Sequence, residues 1–140
     1  DYKVTGVQTC ALPIFGPPRV LVVDDSEDAR LMMRALLEKD GFEVDEAADG
    51  HAALDMLKID QDYKLVVLDL SMPGLDGREV LDQIRGSVDT SALPVLIRTA
   101  TGSDALEAEL LEAGADDYVD KSVDPARFMA RVHAVTRRAL

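Results

Sequence analysis

Two kinds of hydrophobic pattern alternate along residues 19–140. Short runs of apolar, often β-branched residues between polar turn residues are typical of strands buried in a parallel sheet. Five such runs predict strands at Arg19–Val23, Phe42–Ala47, Lys64–Leu68, Leu93–Thr99 and Asp117–Val119.

Between these runs, apolar residues recur three or four positions apart, which predicts amphipathic helices. Ser26 and Asp28 offer N-cap side chains to a first helix that Gly41 ends, and Asp124-Pro125 has the order typical of a helix start. The apolar stripes predict helices over about 26–40, over 50–59, around 80–86, around 106–113 and from 125 onward.

Five strands alternating with five helices predict right-handed crossovers and a doubly wound α/β sandwich, with one parallel sheet covered on both faces. Folds of this kind bind ligands beyond the carboxyl ends of their strands. The residues at such ends are Asp24, Asp25, Asp69, Thr99 and Lys121. The sequence therefore predicts a functional site at this edge of the sheet.

Three acidic residues dominate that edge. Asp24 and Asp25 directly follow the first predicted strand, and Asp69 directly follows the third. If those strands are neighbours, the three carboxylates converge, and like charges a few ångströms apart raise one another's pKa unless a cation neutralises them. Because ligands that are all oxygen favour Mg²⁺ over zinc or copper, the pattern predicts a magnesium site.

Composition narrows the function classes further. The chain has 140 residues, 47% of them hydrophobic, which suits one domain. A net charge of −12 argues against direct nucleic-acid binding, which needs a basic face. The sequence has neither a run of about 20 apolar residues for a membrane helix nor a signal-peptide core. We therefore expect a cytoplasmic protein without membrane contact, whose partners are proteins or cations.

Residues 1–18 lack both periodicities, and we assign them to a non-native or disordered tail that precedes one domain at 19–140. The segment Val4–Ile14, VTGVQTCALPI, resembles the translation of a widely used short-read sequencing adapter over all eleven residues. We interpret it as a library artefact fused to a truncated reading frame, so that Cys10 has no redox role. A genuine disordered tail is the alternative interpretation.

Four motifs occur in order along the rest of the chain: LVVDD at 21–25, VVLDLSMPGLDG at 66–77, PVLIRTA at 94–100 and GADDYVDK at 114–121. In these motifs and their spacing, residues 19–140 resemble the receiver domain of two-component response regulators. The resemblance implies a flavodoxin-like, CheY-like fold with five parallel strands in the order 2-1-3-4-5. It also implies phosphorelay signalling, in which a phosphoryl group is accepted and a conformational switch controls an output.

The resemblance implies a role for each matched residue. Asp69 accepts the phosphoryl group as an aspartyl nucleophile. Asp25 and Asp69 bind Mg²⁺ directly, Asp24 binds it through water, and the backbone carbonyl of Ser71 is a further ligand. Lys121 and Thr99 contact the phosphoryl oxygens as catalytic residues. Thr99 and Tyr118 form the switch, although a core role for Tyr118 explains its position equally well.

One position departs from the family pattern. The lysine is usually followed by a proline in a cis peptide bond, whereas Lys121 here precedes Ser122. A cis bond before a residue other than proline costs about 2.5–4 kcal/mol. We therefore predict a locally altered loop in which Lys121 keeps its charge contact with Asp69.

The resemblance also implies protein partners. A histidine kinase or a phosphotransfer protein would donate the phosphoryl group, and the face of the fourth helix, fifth strand and fifth helix would contact an output domain or protein. The charges of Glu107, Asp117, Arg127 and Arg131 on that face suit a phosphorylation-dependent homodimer, or they are simply solvated surface charges.

Other functions fit the residues less well. A haloacid-dehalogenase-like phosphatase, which is also a Mg²⁺-dependent aspartyl enzyme, needs an acid two residues after the nucleophile, where this chain has Ser71. A flavodoxin-like cofactor binder needs a phosphate cradle where Asp24–Asp28 is acidic. A phosphorelay intermediate and a receiver from a hybrid kinase stay open. We expect no enzyme activity beyond self-phosphorylation and autodephosphorylation.

Overall fold

The structure is a computed structural model that describes residues 16–100 and 102–138. Its strands are β1 (Arg19–Val23), β2 (Glu43–Ala47), β3 (Leu65–Asp69), β4 (Val95–Thr99) and β5 (Asp117–Asp120), and its helices are α1 (Glu27–Lys39), α2 (Gly50–Ile59), α3 (Gly77–Gly86), α4 (Asp104–Glu112) and α5 (Pro125–Arg138). The adapter-like segment Val4–Ile14 and Cys10 lie outside the described residues.

All strands are parallel and pair in the order β2-β1-β3-β4-β5, so the predicted doubly wound fold is confirmed. The order reverses at β1, whose neighbours are β2 and β3. In register, Val23 lies beside Leu68, and Asp69 lies beside Arg98. The residue after β1 and the last residue of β3 are therefore brought to the same edge of the sheet.

The core has two layers, one on each face of the sheet, because side chains alternate in direction along each strand. One layer contains Leu21, Val66, Leu68 and Ile97 with the apolar sides of α2, α3 and α4. The other contains Val20, Val67, Leu96 and Met33 with residues of α1 and α5. Every residue of β3 and β4 is buried, which makes these strands a rigid support for the side chains at their ends.

Each of the five helices begins with an N-cap side chain. The side chain before each helix accepts a hydrogen bond from the backbone N–H three residues later, and these residues are Ser26, Asp49, Asp76, Ser103 and Asp124. At α3, the Glu79 side chain also accepts from the N–H of Asp76 and so completes a capping box. These caps fix the starts of the helices that follow the five strands.

Five strand boundaries differ from the predicted ones by one or two residues. β2 begins at Glu43 rather than Phe42, and β3 begins at Leu65 rather than Lys64. Asp69 is the last residue of β3 rather than the first residue after it, because the strand pairing with β4 extends to Arg98. β5 extends to Asp120, which lies beside Thr99. β4 begins at Val95 rather than Leu93, since the N–H of Leu93 bonds back to the carbonyl of Thr90 in a turn.

Among the described residues, no helix has the length and apolar content that crossing a membrane requires.

Gly77, the first residue of α3, lies directly against the end of β3. A Cβ at this position would overlap the carbonyl oxygen of Asp69 and lie 2.7 Å from the Cα of Leu70. A Cβ added to Gly86, at the other end of α3, would meet no neighbour within 4 Å. The two glycines of one helix therefore differ in whether a methyl group fits.

We expect Gly77→Ala to lower the free energy of unfolding by about 1–3 kcal/mol, because the backbone after Asp69 must shift to admit the methyl group. Gly86→Ala should leave the free energy unchanged or raise it by up to about 1 kcal/mol, since alanine is the better helix former. Urea unfolding of the two variants measures both values. Equal effects of the two substitutions would contradict this account of Gly77.

Candidate functional site

The three acidic residues predicted from the sequence meet at the carboxyl edge of the sheet. Each of Asp24, Asp25 and Asp69 has a carboxylate oxygen within 4.8 Å of those of the other two. Asp24 and Asp69 are buried, whereas Asp25 is exposed. Two acids of the cluster are therefore shielded from solvent, and the third, Asp25, is in contact with it.

The two oxygens of the Asp69 carboxylate have different environments. Oδ1 accepts a hydrogen bond from the backbone N–H of Ser71 at 3.2 Å and forms an ion pair with Lys121 Nζ at 2.9 Å. Oδ2 is buried and has no hydrogen-bond partner within the part of the chain that the structure describes. A buried carboxylate oxygen without a partner is costly, so Oδ2 is the atom poised to bind a cation or an incoming group.

Both oxygens of the Asp24 carboxylate, in contrast, have partners in the protein. Oδ1 accepts from the N–H of Ser26 at 2.9 Å, and Oδ2 accepts from the guanidinium of Arg98 at 3.1 Å. The backbone of Asp24 is held as well, since Arg30 donates to its carbonyl oxygen at 2.8 Å. Asp24 is therefore fixed by its neighbours before any ligand enters.

The pKa of Asp69 is raised above its ordinary value. Burial is the largest cause, because it penalises the charged form, and the nearby Asp24 carboxylate adds to it. The hydrogen bond from Lys121 opposes both effects and favours the ionised form. The charged form of Asp69 is therefore disfavoured by its surroundings, and Lys121 offsets only part of this effect.

The residues present fit a hard divalent cation. The donor atoms at the cluster are carboxylate oxygens, and the exposed residue Ser71 follows β3 with a backbone carbonyl that can add another oxygen. Mg²⁺ is bound by such oxygen ligands and by waters that it retains. A cation would also neutralise the converging charges and bind Asp69 Oδ2, which has no hydrogen-bond partner among the described residues.

Lys121 reaches Asp69 from a loop that differs from the family pattern. The predicted charge contact is present at 2.9 Å, and the Lys121–Ser122 peptide bond is trans. Both the N–H and the hydroxyl of Ser122 donate to Asp120 Oδ1 at 2.7 Å, and the N–H of Lys121 donates to the carbonyl of Thr99 at 2.8 Å. A proline at 122 has no N–H and could not form the first of these bonds, so the serine gives the loop a hydrogen bond that the family pattern lacks.

The predicted switch residues lie beyond the acidic cluster. Thr99, the last residue of β4, is buried, and Tyr118 on β5 is half-buried on the same face of the sheet. The Tyr118 ring packs beside Gly102, since a Cβ on that glycine would lie 3.1 Å from it. Burial together with the charges of Glu107 and Asp104 raises the pKa of the Tyr118 hydroxyl. Tyr118 therefore links the segment after Thr99 to α4.

Arg98 was missed as a site residue in the sequence. It lies within the apolar motif PVLIRTA, one position before Thr99, and its side chain is only 9% exposed. A charged residue inside a run that predicts a buried strand was the available signal, because a buried cation needs a partner. The partner, Asp24, is 74 positions away in the chain.

Comparison with known proteins supports a family assignment. A sequence profile of the response regulator receiver domain matches residues 20–133. The transcriptional regulatory protein ResD of Bacillus subtilis is 40% identical over 121 residues, and the response regulator MprA of Mycobacterium tuberculosis is 44% identical over 120 residues. Each match covers 86% of this chain but 49% of ResD and 51% of MprA. The chain spans about half the length of the curated relatives it matches.

Solved structures agree in fold. The receiver domain of the Francisella response regulator 1452 is 32% identical with a TM-score of 0.79, over 88% of this chain and 99% of that one. A chain of the CheX–CheY–BeF₃–Mg²⁺ complex from Borrelia burgdorferi is 31% identical with a TM-score of 0.81, over 86% and 90%.

We expect the pKa of Asp69 to be higher in Lys121→Met than in the unchanged protein, because the substitution removes the hydrogen bond that favours the ionised carboxylate. Carbon NMR titration of the Asp69 carboxyl carbon in EDTA measures the shift. Lys58→Met removes an exposed lysine that pairs only with Asp55 among the described residues, and it should leave the Asp69 titration unchanged. Identical titrations for the two variants would contradict the role given to Lys121.

Proposed function

Because the chain belongs to the response regulator receiver family, a module of two-component phosphorelay signalling, we propose that Asp69 is the residue that accepts the phosphoryl group. Receiver domains act as signalling modules rather than as conventional enzymes. The observation that carries the proposal is the Asp69 carboxylate, whose buried Oδ2 lacks a partner among the described residues while its Oδ1 is anchored by Lys121 and Ser71.

In the proposed reaction, Asp69 Oδ2 attacks the phosphorus of a phosphohistidine on a partner kinase or phosphotransfer protein. The new P–O bond makes an acyl phosphate, and the P–N bond breaks as the imidazole leaves and takes up a proton. Lys121 then lies beside the phosphoryl oxygens and offsets their charge, which is the main task of catalysis in phosphoryl transfer. Lys121 and the anchored Oδ1 together hold the carboxylate in line for attack.

Mg²⁺ is the cofactor that we propose for this site. Asp25 and Asp69 would bind it directly, Asp24 through water, and Ser71 through its backbone carbonyl. When bound, the ion supplies positive charge to the phosphoryl oxygens. The all-oxygen donor set supports the choice, as does similarity to a chain of a complex that contains BeF₃ and Mg²⁺.

The signal would travel from the phosphoryl group to the side of the sheet formed by α4, β5 and α5. Phosphorylation adds roughly two negative charges beside Lys121, so conformations that bring the Thr99 hydroxyl toward the phosphoryl group gain stability. Tyr118 packs beside Gly102, three residues after Thr99, and would move with that segment. Thr99 and Tyr118 are therefore the proposed switch.

We also propose two kinds of protein partner for this chain, a phosphoryl donor and an output domain or protein. Response regulators work with histidine kinases and output domains, and the relatives named above are about twice as long as the matched segment. We assign the output contact to the α4-β5-α5 face, where Arg131 on α5 pairs with Asp117 on β5 at 3.1 Å. A phosphohistidine donor is made from ATP, which supports a cytoplasmic location. A phosphorelay intermediate with the same Asp69 chemistry is the alternative.

Asp69→Asn should abolish Mg²⁺-dependent labelling by a small phosphodonor such as acetyl phosphate, because an amide oxygen is a poor nucleophile and a weaker metal ligand. Mass spectrometry of the intact protein measures the added phosphoryl group. Asp55→Asn, at an exposed acid of α2, should label like the unchanged protein, and EDTA should prevent labelling of both. Labelling of Asp69→Asn at the normal level would place the acceptor elsewhere.

The homodimer proposal has its own test. Sedimentation velocity with Mg²⁺ and beryllofluoride, a phosphoryl mimic, should show a dimer that is absent without the mimic. Arg131→Glu should prevent it, since the substitution puts like charge beside Asp117 on the contact face. Equal sedimentation with and without the mimic would remove the homodimer and leave the phosphoacceptor role of Asp69 intact.

A further inference from the structure

Arg98 contacts the acidic cluster but has no role in the proposed function. Its backbone lies beside Asp69 in the β3–β4 register, and its guanidinium donates to Asp24 Oδ2 at 3.1 Å. The side chains of Arg98 and Asp24 are 9% and 0% exposed. This is a buried ion pair at the edge of the sheet between Arg98 of β4 and the residue that follows β1, and β1 and β4 are not neighbours.

The reach of the side chain explains how the pair forms. β3 lies between β1 and β4, and adjacent strands are about 4.8 Å apart, so Arg98 must span roughly 10 Å to reach the residue after β1. Leu96, two residues earlier on β4, faces the layer of α1 and α5, and alternation places Arg98 on that side. The guanidinium therefore reaches Asp24 along the face of the sheet that α1 and α5 cover, whereas Asp25 is exposed to solvent.

Charge is the second line of support. Three carboxylates face the ammonium of Lys121 and the guanidinium of Arg98. The two cations act on different acids, since Lys121 pairs with Asp69 Oδ1 and Arg98 pairs with Asp24 Oδ2. Without Arg98, Asp24 would be a fully buried carboxylate with one hydrogen bond from Ser26 and an acidic neighbour, a costly arrangement.

We propose that Arg98 is a built-in counter-cation, a positioning residue that holds Asp24 in place without a metal and lowers the affinity of the cluster for Mg²⁺. The inference rests on the proposed metal site. Arg98 donates to one of the two Asp24 oxygens that an ion or its water could otherwise use, and its charge repels a divalent cation placed beside Asp24 and Asp69. The consequence is a receiver site that keeps its geometry without Mg²⁺ and needs a higher Mg²⁺ concentration for binding than the same site without Arg98 would need.

Isothermal titration of Mg²⁺ into the metal-free protein tests this inference. Arg98→Met keeps most of the side-chain volume but removes the charge. It should lower the dissociation constant for Mg²⁺ on the order of tenfold, because the repulsion between a unit charge and a divalent ion a few ångströms away is of this size. Arg98→Lys keeps the charge and should stay within about threefold of the unchanged protein. Lys58→Met removes an exposed lysine of α2 and is the control for net charge.

Thermal unfolding gives a readout that is independent of phosphorylation. In EDTA, Arg98→Met should unfold at a lower temperature than the unchanged protein, because Asp24 loses its counter-cation. Saturating Mg²⁺ should raise its unfolding temperature by more than that of the unchanged protein or of Lys58→Met. If Arg98→Met does not fold, Arg98→Gln, which is neutral but keeps an N–H donor for Asp24, takes its place with the same expectations.

The outcomes separate the two proposals. Unchanged or weaker Mg²⁺ binding by Arg98→Met would overturn the counter-cation role, as would an equal gain in Mg²⁺ affinity for Arg98→Lys or for Lys58→Met. Absence of Mg²⁺ binding by the unchanged protein and by every variant would overturn the proposed metal site itself. Tighter binding by Arg98→Met alone, with Arg98→Lys close to the unchanged protein, supports the inference.

Discussion

Repulsion among three carboxylates at one edge of a parallel sheet is the constraint on which the rest of this structure depends. Asp24 and Asp69 are buried side by side, where their charges are poorly screened. Lys121 and Arg98 answer that repulsion from two directions, one from the loop after β5 and one from β4. The site is therefore an electrostatic balance between three carboxylates and two cations, in which each cation offsets the charge of one buried acid.

The fold creates this balance by register. β1 and β3 pair so that Val23 lies beside Leu68, which places the next residue of each chain segment, Asp24 and Asp69, together. α3 then begins so close to β3 that Gly77 has no room for a side chain against Asp69 and Leu70. Buried strands and a tightly seated helix leave the carboxylates little freedom, so the charges cannot relax by moving apart.

The outcome is an asymmetry between two similar acids. Asp24 has both carboxylate oxygens bonded within the protein, whereas Asp69 has one oxygen anchored and one without a partner among the described residues. This difference is consistent with the roles proposed above, in which Asp24 is a fixed part of the site and Asp69 is the nucleophile. In that proposal the chemistry occurs on Oδ2 of Asp69.

The sequence by itself determined the class of fold, the elements and the identity of the acids. Alternating apolar runs and stripes predicted five strands and five helices, and four motifs indicated the strand order that the sheet has. Local patterns carry this information because burial repeats every two residues in a strand and every three or four in a helix. The acids were predicted because strand ends can be read directly from the chain.

Only the tertiary structure decided which oxygen of Asp69 lacks a partner among the described residues, how Ser122 bonds within the Lys121 loop, and which acid the buried arginine of β4 contacts. These depend on contacts between residues far apart in the chain, such as Arg98 with Asp24 and Lys121 with Asp69. A hydrogen bond requires two groups to meet within about 3 Å in a suitable direction, and no local pattern encodes that condition. It is set by strand register and side-chain reach, which exist only once the sheet has formed.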